Sequence, residues 1–241
     1  MMETLLEIKN LNIEARTRTG ILNVVNDLSF SIKKGETVGV VGESGCGKTV
    51  TALSIMNLLP KDVLSISSGD IVFDNIAINK IAENKLENIR GNKIGMIFQE
   101  PMTSLNPLFS VGDQVSEVIR RHKGLNKDKS WVKAVELLDA VKIGNPQKKA
   151  FDFPFQLSGG QRQRVMIAIA LACQPKILIA DEPTTALDVT IQAEILALIN
   201  MLKKETGTAV MFITHDMAVV AQMADRVVVM YPGEKVEEGT V

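Results

Sequence analysis

Gly42-Glu43-Ser44-Gly45-Cys46-Gly47-Lys48-Thr49 is the stretch that decides how this chain is read. It follows the apolar run Val38-Gly39-Val40-Val41 and precedes Thr51 to Leu59, which reads as a helix stopped at Pro60. Strand, glycine-rich loop and helix in that order form the context a phosphate-binding loop requires. Glycines 42, 45 and 47 let the backbone turn tightly and aim successive N–H groups at phosphate oxygens, while the helix start adds its positive dipole end. Glu43, Ser44 and Cys46 take part through their backbone, so the Cys46 thiol needs no chemical role. Lys48 is placed to reach the β- and γ-phosphates of a nucleotide, and the Thr49 hydroxyl to ligate Mg²⁺.

Outward from this loop the chain alternates short apolar runs with helical patterns. Ile94-Gly95-Met96-Ile97-Phe98, Ile177-Leu178-Ile179-Ala180, Val210-Met211-Phe212-Ile213 and Val227-Val228-Val229-Met230 join Val38–Val41 as strands of a sheet covered on both faces. Alternation in Leu28, Phe30 and Ile32 gives a half-exposed strand, with Leu6-Glu7-Ile8 as its expected antiparallel neighbour in an amino-terminal layer. Trp131, Ala134, Val135, Leu138 and Val141 recur at helical spacing, so roughly residues 100 to 160 are expected to form a helical insertion, with the Trp131 stripe facing its core. The expected class is α/β, one domain over 1–241 with that insertion and no internal repeat.

Composition narrows the setting. At 241 residues and 46% hydrophobic content the chain has ample material for a core, and 27 basic against 28 acidic residues leave no basic excess to attract nucleic acid. Two cysteines, Cys46 and Cys173, are too few for a disulfide framework or a four-cysteine metal cluster, which suits a reducing compartment. Met1-Met2-Glu3-Thr4 does not begin a basic region followed by an apolar signal core, and no window approaches the ~18 apolar residues of a membrane span. A cytoplasmic chain that meets membranes only through a partner is expected.

Asp181 and Glu182 close the run Ile177 to Ala180, so two carboxylates emerge together from a buried strand. Because a strand sends neighbours to opposite faces, Asp181 is expected to serve Mg²⁺ through a water while Glu182 points toward an attacking water. Acids at a strand end also serve as helix caps, and Pro183 suits the start of a following turn.

In order and spacing, Gly42 to Thr49, Gln99, Leu157-Ser158-Gly159-Gly160-Gln161, Asp181-Glu182, Ala186-Leu187-Asp188 and His215 resemble the nucleotide-binding subunits of ABC transporters, over nearly the whole chain. Phe98-Gln99-Glu100-Pro101-Met102-Thr103-Ser104-Leu105-Asn106-Pro107 and the stretch Ala180 to Thr190 look more narrowly like the dipeptide, oligopeptide and nickel importer branch. The resemblance implies a P-loop NTPase core, mostly parallel, that binds ATP and Mg²⁺ and hydrolyses ATP. It implies that Ser158, Gly159, Gly160 and Gln161 cap the γ-phosphate held by a second ATP-binding subunit; small glycines, the Ser158 hydroxyl and a helix running on to Cys173 suit that task. It gives Gln99 a contact with Mg²⁺ or the lytic water, and His215 the γ-phosphate. It also implies transmembrane permease partners, an extracytoplasmic substrate-binding protein acting indirectly, and a place on the cytoplasmic face of the membrane. Peptide is the first cargo expected, nickel the second. A soluble non-transport ABC ATPase is the remaining alternative, although repair relatives need a long coiled-coil insertion and ribosomal ones two ATPase units.

Two positions depart from the pattern. Many family members carry an adenine-stacking aromatic near positions 15 to 17, where this chain has Ala15-Arg16-Thr17; Arg16 is the candidate to lie over the base instead. The peptide branch also usually continues beyond the last strand, whereas this sequence stops at Val241. His122, within Arg120-Arg121-His122-Lys123, has no motif around it and reads as a solvated helix end.

Overall fold

A computed structural model describes residues 3–185 and 187–241. In chain order it begins with β1 (Thr4–Thr17), β2 (Gly20–Lys33), β3 (Thr37–Gly42), α1 (Lys48–Ile55), β4 (Leu64–Phe73), β5 (Ile76–Ala77) and the single turn α2 (Glu83–Leu86). There follow β6 (Ile94–Ile97), α3 (Pro101–Ser104), α4 (Val111–Lys123), α5 (Lys127–Ala140), α6 (Pro146–Lys149), α7 (Gly159–Leu171), β7 (Ile177–Asp181) and α8 (Val189–Thr206). The last elements are β8 (Ala209–Ile213), α9 (Met217–Met223), β9 (Arg226–Tyr231) and β10 (Glu234–Thr240). The chain forms two compact units, one from the residues up to Leu86 together with Ala209–Val241, the other from Glu87–Thr208.

In the first unit the expected amino-terminal layer is present. β1 pairs antiparallel with β2 and with β4, placing Leu6 opposite Ile32, Ile8 opposite Phe30 and Leu11 opposite Leu28. These side chains are all buried, so the period-two apolar pattern fixes the register, since a slip by one residue would turn the set to water. β3 lies between β8 and β9 and is parallel to both, while β10 runs antiparallel to β9. Val38, Val40 and the whole of Val210 to Ile213 are buried, as strands covered on both faces require.

The helix after the glycine-rich loop differs from the expected span. It starts at Lys48 and ends at Ile55, not at Leu59. Asn57 takes left-handed backbone at φ 49°, its N–H donates to the Ser54 carbonyl and that of Leu58 to the Leu53 carbonyl, at 3.0 and 2.9 Å. That is a Schellman closure, which satisfies the last carbonyls without needing Pro60.

The second unit holds the parallel pair β6–β7 and the helices α3 to α8. Ala134, Leu138 and Val141 are buried along α5 and its end, whereas Trp131 is half-buried with its ring centroid 4.8 Å from that of Phe151. Arg164 of α7, only 7% exposed, donates to Glu194 of α8 at 2.6 Å and to the Val141 carbonyl at 3.0 Å, tying three segments together. His122 is not a solvated helix end: it is half-buried, its Nε2 packs against Gly91, and burial followed by the charges of Arg121 and Lys123 lowers its pKa.

Candidate functional site

The loop between β3 and α1 is built by close approach of backbone to backbone. Gly42 has φ +156°, and a Cβ there would lie 2.2 Å from the Met230 carbonyl oxygen and 2.7 Å from Cys46 Sγ, so no larger residue fits. Gly47, at φ 98°, is the N-cap of α1; it supplies no side-chain cap, and the first turn of α1 carries no acidic residue. The opening N–H groups and the positive end of the helix dipole thus meet neither a capping oxygen nor a carboxylate of the first turn, as suits an anion. Lys48 is 4% exposed, and its ammonium donates to the carbonyls of Gly42 and Glu43, both at 2.8 Å. Cys46 is buried, with Sγ 3.6 Å from the Lys48 ammonium; Glu43, Ser44, Gly45 and Thr49 are exposed. Also in this unit, His215 is exposed two residues past the end of β8 and directly before Asp216, the N-cap of α9. Arg16 is exposed near the end of β1, opposite Ile21, with its backbone N–H on the Val63 carbonyl at 2.8 Å.

The second unit assembles the carboxylates. Asp181 is the last residue of β7 and 2% exposed. Glu182 lies one residue beyond the strand and takes left-handed backbone at φ 45°, so its direction is set by a turn and not by the strand alternation expected of it. The turn is closed by the Thr185 N–H on the Glu182 carbonyl at 3.2 Å. A non-glycine residue in this region costs on the order of 1 kcal/mol, a strain usually kept where a side chain must be aimed. Glu182 Oε2 accepts from Gln99 Nε2 at 3.2 Å and from the Thr185 hydroxyl at 2.9 Å. Gln99 and Glu182 are therefore brought together as a pair, and Thr185 is a member that sequence reasoning missed; its only signal was a hydroxyl three residues after the acid, the reach of one tight turn.

Ser158 begins α7 as part of a capping box: its hydroxyl accepts from the Gln161 N–H at 3.3 Å, and the Gln161 side chain accepts from the Ser158 N–H at 3.1 Å. Ser158 thus caps its own helix, and both side chains are engaged within their own turn. A cleft of about 270 Å³ is lined by Gln99, Gly159, Arg162, Thr185 and Leu187, so the start of α7 opens onto the same cleft as Gln99 and Thr185, the two donors to Glu182. Gly160 is half-buried beside it. Asp188 caps α8, accepting from the Ile191 N–H at 3.0 Å, and Ala186 lies outside the described residues.

The comparisons with known proteins agree on the family. The sequence profile described as "ABC transporter" matches residues 25–185. The oligopeptide transport ATP-binding protein OppD of Bacillus subtilis is 51% identical over 237 residues, covering 98% of this chain and 66% of the relative, so the chain spans just under two thirds of that protein's length. The dipeptide transport ATP-binding protein DppD of Bacillus subtilis is 48% identical over 239 residues, covering 99% of this chain and 71% of its own. Among solved structures, the dimeric post-hydrolysis state of the ATP-binding cassette MJ0796 bound to ADP and Pi superposes with a TM-score of 0.87 at 32% identity, covering 98% of each chain. CbiO1 from Clostridium perfringens, part of the ABC transporter complex cbiONQ, gives 0.81 at 30% identity over 99% of this chain and 89% of its own. The chain belongs to the ABC transporter family, and its fold is that of the family's ATP-binding cassettes, a P-loop NTPase core with an amino-terminal antiparallel layer.

Proposed function

We propose that this chain binds ATP on the 42–49 loop and hydrolyses it with Glu182 as the group that polarises the attacking water, energising import of peptides. The observation that carries the reading is the backbone cradle itself. Gly42 and Gly47 hold a turn that excludes side chains, no acid follows in the first turn of α1, and a buried ammonium sits inside the loop. Lys48 exchanges its two carbonyl partners for β- and γ-phosphate oxygens when nucleotide enters, a substitution of like acceptors that costs little.

Catalysis here is positioning plus electrostatics. Glu182 is held by two donors, Gln99 and Thr185, on one of its oxygens, which fixes the direction of the carboxylate that would polarise the water. His215 is the candidate contact for the γ-phosphate. The hydroxyl of Thr49, the carboxamide oxygen of Gln99 and the carboxylate of Asp181 are hard oxygen donors of the kind Mg²⁺ takes, and the ion would supply charge neutralisation between the phosphates. Ser158 and Gly159 to Gln161 serve the nucleotide of a second ATP-binding subunit, for which the dimeric solved relative is the support.

The names of the relatives, oligopeptide and dipeptide transport ATP-binding proteins, favour peptide over nickel as the cargo. No helix among the described residues is long and apolar enough to cross a membrane. By analogy with the transport proteins it resembles, transmembrane permease subunits carry the cargo path, with the chain peripheral on the cytoplasmic face and an extracytoplasmic binding protein supplying the peptide. Mg²⁺-dependent ATP hydrolysis by the purified chain, together with ATP-dependent peptide uptake in cells expressing it with its permease, tests the reading. Loss of both in Lys48→Ala is the expected result; unchanged nucleotide binding by that variant would defeat it.

A further inference from the structure

The turn between β9 and β10 touches the phosphate loop through backbone alone. The Gly233 N–H donates to the Cys46 carbonyl at 3.1 Å. On its other side the Gly233 carbonyl accepts from the Asn26 N–H of β2 at 2.8 Å, and the Asn26 side chain donates to Glu234 at 2.6 Å. Gly233 has φ +79°, and a Cβ on it would sit 2.9 Å from the Val24 carbonyl oxygen; a Cβ on Gly47 would meet that same oxygen at 2.9 Å. Both glycines thus lie hard against the Val24 carbonyl, with the Val25 side chain 3.1 Å from where a Gly47 Cβ would sit, leaving no slack to absorb an extra carbon.

This contact has a directional consequence. In a trans peptide the C=O of one residue and the N–H of the next point opposite ways across a rigid plane. Holding the Cys46 carbonyl against Gly233 therefore aims the Gly47 N–H away from the turn, into the loop's concave side where an anion is to be bound. We propose that Gly233 is a positioning residue for nucleotide binding, one that orients the Gly47 amide through the Cys46 carbonyl from a segment almost two hundred residues away in sequence. The proposal rests on the ATP-binding reading given above.

Gly233→Ala and Gly233→Asn test it, with Asn26→Ala as a milder variant that loosens the turn from an exposed position. Asparagine tolerates left-handed backbone while alanine does not, yet both carry the intruding Cβ, so both are expected to fail alike. Each glycine variant should raise KM and Kd for ATP by about tenfold, equivalent to ~1.4 kcal/mol, with kcat changed by no more than about twofold. Cys46, 3% exposed beside this contact, should be alkylated by N-ethylmaleimide faster than in the parent, while Cys173, 2% exposed in the other unit, serves as the unchanged control. Asn26→Ala should shift KM and the Cys46 rate the same way by less. A folded Gly233→Ala with unchanged KM and unchanged Cys46 rate, or with kcat lost at constant KM, overturns the proposal. If the glycine variants do not fold, an unaltered KM and Cys46 rate in Asn26→Ala overturns it. A parent chain that binds no nucleotide would sink the functional reading instead, and the Cys46 rate would still decide whether Gly233 holds the loop.

Discussion

In the proposed mechanism Glu182 carries the decisive chemistry, and its surroundings say how to test it. Glutamine at 182 keeps one oxygen able to accept from Gln99 and Thr185 while removing the basic carboxylate, so the turn should survive. Hydrolysis by Glu182→Gln is expected to fall by about 10²–10⁴, the worth of a positioned general base, with ATP affinity retained. Turnover within a few per cent of the parent would remove Glu182 from the mechanism. Base recognition is the second question at this scale. Arg16 is exposed, and its neighbourhood at the end of β1 offers Ile21 and Leu22, 70% and 59% exposed, in place of an aromatic. A guanidinium and aliphatic carbons read neither purine's edge, so ATP and GTP should bind within about tenfold of each other, ~1.4 kcal/mol. Arg16→Ala should weaken both alike in a titration; a hundredfold preference for ATP would mean that an adenine-reading contact exists elsewhere. At this scale the sequence told the kind of residue more surely than its direction. The pairing of Glu182 with Gln99 depends on a left-handed φ that no spacing rule announces, and Thr185 joins them only because of that turn.

Among the elements, the edges of the first unit are pinned by one guanidinium. Arg226, at the start of β9, donates to both carboxylate oxygens of Glu36 at 2.9 and 3.2 Å, and also to Glu238 of β10 and the Ser31 carbonyl of β2. Burial alone would raise the Glu36 carboxyl, but hydrogen bonds from Arg226 and the Lys33 N–H, with the charges of Arg226 and Lys33, outweigh it and hold the group below its usual range. A carboxyl lowered on folding adds stability that is present above the ordinary carboxylate range and is lost as pH falls through the lowered value. Arg226→Ala should therefore cost about 1.5–3 kcal/mol at neutral pH, the scale of hydrogen bonds to a charged group. In urea titrations that penalty should shrink in acid; a penalty that stays constant down to the acid transition would show that Glu36 is not its source. Strands were the legible elements, because buried β-branched runs such as Ile177–Ala180 admit few alternatives. Helix ends were less so: α1 ends at Ile55, closed by the left-handed backbone of Asn57, although Pro60 is the louder signal in the sequence.

For the whole molecule, the candidate residues fall into two sets, each complete within its own compact unit. The phosphate loop, Arg16 and His215 belong to one; Gln99, Ser158 to Gln161, Asp181 and Glu182 belong to the other. The order of these motifs along the chain was enough to indicate the family, because each motif is a short backbone device whose spacing survives changes in the side chains around it. The proposed sharing of a nucleotide between two copies is not legible from local chemistry, since Ser158 and Gln161 satisfy each other as a helix cap within one chain. The most direct measurement of the central claim is therefore complementation between two inactive variants, Lys48→Ala and Ser158→Arg. The latter also loses its cap, at about 1 kcal/mol, so its folding must be checked by thermal denaturation first. Mixed in equal amounts, random pairing gives mixed dimers in which one shared site carries both lesions and the other none. ATP hydrolysis should then return to roughly a quarter of the parent rate if the two sites act independently. A mixture no more active than its separate components, at every ratio, would contradict a site built from two subunits.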